Sequence, residues 1–286
     1  MNADVHAAWW RRLGADVPLI NAPMGGVAGG KLAAAVSQAG ALGTLGMGSS
    51  GSFEALTREL ARYREAGGDG RFGIGLVDWG IAQDPSMLDL ALDARPMLLS
   101  VSFGDFSAEA PAPEWIARAN HLGIATVTQV ANAAEAEQAV LNGIDAVIAR
   151  GLESGGHGAP EHERDALLTS VLETVAGRVP VLAAGAISTR DDLAEVVRLG
   201  AAGGWVGTAF TACPESLTND QSRATLLAAG EGDTHVTREF DIALGLPWPK
   251  RFPERVIRES PVNAGMGIGA LTEVRTAKAV VDSFRL

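Results

Sequence analysis

Residues 181–209, VLAAGAISTRDDLAEVVRLGAAGGWVGTA, decide the fold. Val181–Ala184 is a short apolar run stopped by Gly185, the pattern of a strand buried on both faces. Thr189 with Asp192 three residues on has capping-box spacing, and the helix it opens carries Leu193, Val196 and Val197 before Gly200 ends it. Gly204–Val206 is a second apolar run, stopped in turn by Gly207. Strand, glycine turn, amphipathic helix and strand make one unit of a parallel β/α sheet.

Outward from this unit the alternation repeats. Candidate strands at Val17–Ala22, Ala41–Leu45, Phe72–Leu76, Pro96–Val101, Ala125–Gln129 and Ala146–Ala149 bring the total to eight in 286 residues. That is about 36 residues per unit, against a norm of ~250 residues for an eightfold barrel. Between them, Leu32, Ala35, Val36 and Ala39 recur at helical spacing, and Phe53, Leu56, Leu60 and Tyr63 form a stripe begun by Ser52 and stopped by Gly67-Gly68. Asn132 with Glu135 opens an Ala-rich helix ending near Asn142-Gly143, and Leu168, Val171, Leu172 and Val175 give another stripe closed by Gly177. The expected architecture is therefore a (β/α)8 TIM barrel, one domain over residues 1–286. From about Leu217 a short irregular extension follows, broken by Pro247, Pro249, Pro253 and Pro261 before a final helix near Leu271–Phe284.

The chain is 47% hydrophobic, which excludes a disordered or fibrous protein, and its net charge of −11 with no basic-aromatic cluster excludes a nucleic-acid partner. Any phosphate must then be held locally, by backbone N–H groups. Cys213 is the only cysteine, so no intramolecular disulfide can form and a reducing compartment is expected. Met1 to Arg12 lacks the basic-then-apolar order of a secretory signal, and no run has the length of a membrane span. The expectation is a cytoplasmic protein.

In such a barrel the chemistry sits just after each strand. After the first comes Asn21-Ala22-Pro23-Met24-Gly25-Gly26, which by itself reads as a tight turn but leaves the backbone free to press against a flat ligand. After the sixth, Arg150-Gly151-Leu152-Glu153-Ser154-Gly155-Gly156-His157-Gly158 sets one imidazole among glycines, clear of side-chain bulk and able to act as a proton acceptor. After the seventh and eighth, Gly185-Ala186 and Gly207-Thr208 lie one strand-helix unit apart, where barrels commonly bind phosphate. His6, His121, His162 and His235 are scattered, and with no H-E-x-x-H, cysteine pair or carboxylate cluster no metal is expected. Cys213 reads as a small core residue, Gly29-Gly30-Lys31 lacks the spacing of a phosphate-binding P-loop, and Trp79 is a candidate pocket wall.

Four segments together resemble the nitronate monooxygenase (2-nitropropane dioxygenase) family: Pro18 to Gly26, the Ala-Ala-Val-Ser-Gln-Ala-Gly stretch ending at Gly40, Glu153 to Gly158, and Gly207-Thr208-Ala209-Phe210. The resemblance spans about residues 9–216 and implies an FMN-dependent barrel that oxidises alkyl nitronates, and in some members neutral nitroalkanes, with molecular oxygen. It implies that the FMN phosphate sits at Gly185-Ala186 and Gly207-Thr208. Ala22, Pro23, Met24 and Gly75 would meet the flavin ring, with Gln129, Gly151, Ser154, Gly155 and Gly156 completing the cradle. His157 falls on the family's histidine, which takes the α-proton of a nitroalkane or orients a nitronate. Two positions depart from the family: Ala186 stands where many relatives have a second glycine, and Gly73-Ile74-Gly75-Leu76 lacks an asparagine often found after the third strand.

The Glu-Ser-Gly-Gly-His pattern also resembles FMN-dependent enoyl-acyl-carrier-protein reductases and related NAD(P)H:quinone reductases. A net charge of −11 weighs mildly against an acidic carrier protein as partner. A flavin-free phosphate-binding isomerase or aldolase, and a non-catalytic flavin carrier, complete the alternatives. The partners implied are a small-molecule substrate and oxygen, with no nucleic acid and no membrane; a homodimer is left open.

Overall fold

The computed structural model describes residues 3–286; Met1 and Asn2, the start of the segment read against a secretory signal, lie outside them. Eight parallel strands form the barrel: β1 (Leu19–Asn21), β2 (Thr44–Gly46), β3 (Gly73–Val77), β4 (Leu98–Ser102), β5 (Ala125–Val130), β6 (Ala146–Arg150), then β8 (Val181–Ala184) and β9 (Gly203–Val206). Their spatial order is β1-β9-β8-β6-β5-β4-β3-β2, and a parallel bridge from Ile20 to Leu42 draws the chain before β2 against β1. The missing number belongs to β7 (Gly156–His157), which leaves the barrel to join β10 (Thr234–Thr237) and β11 (Glu254–Ile257) in a small antiparallel sheet.

Alternation along the strands separates two cores. Ile20, Leu42, Leu98, Val127, Ile148, Leu182 and Trp205 fill the barrel interior, while Leu19, Leu45, Ile74, Leu99, Val147 and Val181 face the helices. Those helices are α2 (Gly30–Gln38), α3 (Phe53–Glu65), α4 (Asp78–Gln83), α5 (Pro85–Asp93), α6 (Glu114–His121), α7 (Ala133–Leu141), α8 (Arg164–Val175) and α9 (Arg190–Leu199). The capping signals act as read: Ser52 Oγ accepts from Ala55 N, Asn132 Oδ1 from Glu135 N, and Thr189 and Asp192 form a full capping box. Before them, α1 (Ala3–Leu13) closes the N-terminal mouth, where buried Trp9 and Trp10 join the interior core and Trp10 Nε1 donates to the Ala202 carbonyl at 2.7 Å.

The extension is more regular than its prolines suggest. It holds α10 (Asp220–Ala228), β10, α11 (Glu239–Leu244), β11 and α12 (Ala277–Ser283). The final helix is thus shorter than the expected Leu271–Phe284, because residues 266–270 form a separate 3-10 turn and Thr276 caps α12. Pairing of β11 with β7 stitches this cap onto the loop that carries His157, so the extension covers the C-terminal ends of the strands.

Candidate active site

A cavity of about 410 Å³ opens at those strand ends. Its walls include Ala22, Pro23, Met24, Gly75, Gln129, Ser154, Gly155, Gly156, His157, Gly185, Ala186, Gly207 and Thr208. Gly151 is the exception among the expected cradle residues. A Cβ there would lie 2.4 Å from Arg164 Cα, so its missing side chain serves the packing of α8 and not the cavity. Trp79 likewise stands behind the wall, edge-on to Trp248 at 5.1 Å.

The floor is built by close backbone approach. Side chains at Gly46 and Gly75 would meet Pro23, the latter with a Cβ 2.2 Å from the proline ring, so both glycines let Pro23 lie flat across the strand ends. The turn after β8 combines Gly185 at φ 124° with Ala186 at φ 46°. Ala186 therefore occupies a left-handed conformation that costs a residue with a Cβ roughly 1–2 kcal/mol. Two neighbours fix this turn: Arg164 donates to the Gly185 carbonyl at 3.1 Å, and the Glu153 carboxylate accepts from Arg164 N at 2.9 Å. A Cβ on Gly185 would lie 3.2 Å from Ser154 Oγ, a buried hydroxyl with no hydrogen-bond partner. Across the cavity Thr208 Oγ1 accepts from Gly265 N, tying the cap to the turn after β9.

Three elements hold His157. Backbone pairing places it opposite Glu254 on β11; Trp248 stacks on its ring at 3.6 Å and 6°; and its Nε2 lies 3.0 Å from both oxygens of Asp241, on α11. Among the described residues its Nδ1 has no hydrogen-bond partner. Burial holds the imidazole below its ordinary 6.5; Asp241 opposes that shift, while Arg150 and Arg238 add to it. Burial thus favours the neutral ring, the form that can accept a proton. Glu254, also buried, is pushed up, first by burial and then by Asp241, and accepts from Asn263 at 2.8 Å. The carboxylate cluster not visible in the sequence thus exists in space: donor atoms of His157, Asp241 and Glu254 lie within 4.8 Å of one another. Hydrogen bonds partner His157 with Asp241 and Glu254 with Asn263. Arg150 is buried at the cavity edge, donates to the Gly155 and Gly156 carbonyls, and is pushed down to about 10 by burial and by Arg255.

A family model described as nitronate monooxygenase matches residues 8–246. The chain belongs to the nitronate monooxygenase family. Among its relatives, the nitronate monooxygenase of Paraburkholderia phytofirmans is 32% identical over 268 residues, covering 79% of this chain and 71% of that one. The (3aS,4S,5R,7aS)-5-hydroxy-7a-methyl-1-oxo-octahydro-1H-indene-4-carboxyl-CoA dehydrogenase of Rhodococcus jostii is also 32% identical, over 252 residues, with 88% of this chain and 65% of the relative covered. The nitroalkane oxidase structure from Streptomyces ansochromogenes superposes with a TM-score of 0.81 at 25% identity, covering 96% of each chain. As a member of the nitronate monooxygenase family the chain is an oxidoreductase, and no described helix is long and apolar enough to cross a membrane.

Asp241, Trp248 and Phe103 escaped the sequence reading. Phe103 meets Trp248 edge-on at 5.0 Å and lines the cavity with it. Trp248 had a signal, an aromatic between Pro247 and Pro249, but Asp241 is 84 residues from His157 in an unremarked segment.

Proposed function

We propose that this chain is an FMN-dependent enzyme that oxidises alkyl nitronates with molecular oxygen and uses His157 to ionise neutral nitroalkanes. The observation that carries the reading is a buried imidazole facing a glycine-floored cavity, its Nε2 on a carboxylate and its Nδ1 without a partner among the described residues. The cavity falls within the ~300–1,000 Å³ range of cofactor and ligand sites. The residues present fit FMN. Gly46, Gly75 and Pro23 give a surface against which a flat ring can lie, and the unpartnered Ser154 hydroxyl beside Gly185 offers a donor to a phosphate. Gly185-Ala186 and Gly207-Thr208 would hold the phosphate, and the flavin would supply the electron acceptor.

The protein's part is orientation and one proton. Phe103 and Trp248 wall the substrate side with apolar surface, which favours the alkyl end of a small nitro compound. His157 takes the α-proton of a neutral nitroalkane; with a nitronate, already ionised, it only orients the anion. A second reading, flavin-dependent redox chemistry on a larger carbonyl substrate, is favoured by the equal identity to the octahydro-indene-carboxyl-CoA dehydrogenase relative.

Oxygen uptake by FMN-loaded protein separates the two. Uptake that depends on propyl-2-nitronate and needs no NADPH is the expected result. Flavin-bound protein that ignores nitronate but oxidises NADPH with an enoyl thioester would establish the second reading instead.

A further inference from the structure

From the contacts around His157 we infer that Asp241 is a positioning residue: it holds Nε2 protonated and turned away from the cavity, so that Nδ1 is the atom that accepts the substrate proton. The inference deepens the proposed nitroalkane activity and rests on it for the substrate, but the tautomer it assigns does not. Its support is geometric. Both Asp241 oxygens lie 3.0 Å from Nε2, the carboxylate is 1% exposed, and an ionised carboxylate can only accept. Nε2 must therefore carry a hydrogen, which leaves the lone pair of neutral His157 on Nδ1. Trp248, stacked on one face of the ring, resists its rotation.

Asp241 enters from the cap on α11, whereas His157 enters from the barrel loop on β7, so the base is complete only when the cap is seated. In the step itself the α-C–H bond of the nitroalkane breaks, its electron pair forms the C=N bond of the nitronate as the N=O π pair moves onto oxygen, and the proton goes to Nδ1. The resulting imidazolium donates from Nε2 to Asp241, whose negative charge opposes the new positive one. Asp241 thus acts through His157 and does not touch substrate. The charged groups facing the ring are Asp241 from α11, Glu254 from β11, Arg150 from β6 and Arg238 just before α11.

The test uses full-length Asp241→Asn and Asp241→Glu, with His157→Asn as reference. In FMN-loaded protein, kcat/KM is measured on 2-nitropropane and on propyl-2-nitronate. In cofactor-free protein, His157 is titrated by ¹⁵N NMR of labelled imidazoles, its resonances identified by their loss in His157→Asn. Asp241→Asn is expected to lower nitroalkane kcat/KM by roughly 10²–10⁴-fold, the range for a general base, with a much smaller loss on the nitronate, which His157 orients but does not deprotonate; Asp241→Glu should restore part of the loss. The wild-type ring should show a protonated Nε2 when neutral, and its midpoint should fall in Asp241→Asn. An unchanged nitroalkane-to-nitronate ratio, or an Nδ1-protonated neutral ring in the wild type, would overturn the inference. Equal loss on both substrates with an unmoved His157 midpoint would do the same. Wild-type protein inactive on both compounds would refute the proposed substrate, and the NMR arm alone would then decide the role of Asp241.

Discussion

At the scale of single residues, function is written in missing side chains and in strain. Ala186 and Phe103 both hold positive φ, 46° and 70°, at the cavity edge, and backbone strain of this kind persists only where surrounding contacts impose it. For Phe103 those contacts are Trp248 and Phe252, at ring separations of 5.0 and 5.2 Å. For Ala186 the neighbouring Gly185 carbonyl is pinned by Arg164. A glycine at this position would relieve that strain, so the alanine here costs stability. Gly75 shows the opposite case, because a side chain there has no room. Gly75→Ala should drive Pro23 off the strand ends and weaken FMN binding by at least about tenfold, the loss expected when ~1.4 kcal/mol of contact is removed. Titration of the apoprotein with FMN by fluorescence quenching checks this, and unchanged affinity would move the flavin away from Pro23.

At the scale of elements, local pattern and long-range contact divide the work. The barrel strands and most outer helices were legible because each carries its own signal: a buried apolar run, a capping residue at the start, a glycine at the end. Thr189 with Asp192 and Ser52 with Ala55 needed nothing from elsewhere in the chain. The cap was not legible, since β10, β11 and β7 are short strands of two to four residues, and the pairing that seats the cap, His157 opposite Glu254 and Gly156 opposite Arg255, joins β7 and β11 from distant parts of the chain. The same limit hid Asp241, whose meaning lies wholly in its contact with His157. It also left Gly151 ambiguous, because a glycine cradling a ligand and one admitting a helix backbone look alike in sequence. The tryptophans of α1 passed as part of a non-secretory N-terminus, yet Trp10 belongs to the barrel core. Its replacement by alanine is expected to cost about 3–5 kcal/mol, as for other buried aromatics, measured by urea denaturation. A cost below about 1 kcal/mol would show that α1 does not plug the barrel.

At the scale of the whole molecule, a protein with net charge −11 disfavours the charged form of a buried imidazole in a site bordered by Arg150 and Arg238. Folding, and under the proposed role of His157 catalysis too, therefore depends on pH through this group. The folded imidazole titrates below 6.5, its ordinary value. As pH falls through 6.5 the unfolded chain takes up a proton that the folded chain refuses, and stability declines until the folded value is passed. Above 6.5 both states hold it neutral and the contribution is constant. Urea midpoints followed from pH 8 downward should thus fall less steeply below pH 6.5 in His157→Gln than in the wild type. A slope unchanged by the substitution would mean that His157 is protonated as readily in the folded chain as in the unfolded one.

The central claim joins these scales: the cap and the barrel loop assemble one base over a flavin. Anaerobic mixing of FMN-loaded protein with 2-nitropropane and, separately, with propyl-2-nitronate isolates that claim from the later reaction with oxygen. Wild-type protein should lose its flavin absorbance with both, whereas His157→Asn should slow bleaching by the nitroalkane roughly 10²–10⁴-fold and bleaching by the nitronate far less. Equal bleaching of wild type and variant by the nitroalkane, or no bleaching of the wild type by the nitronate, would contradict it.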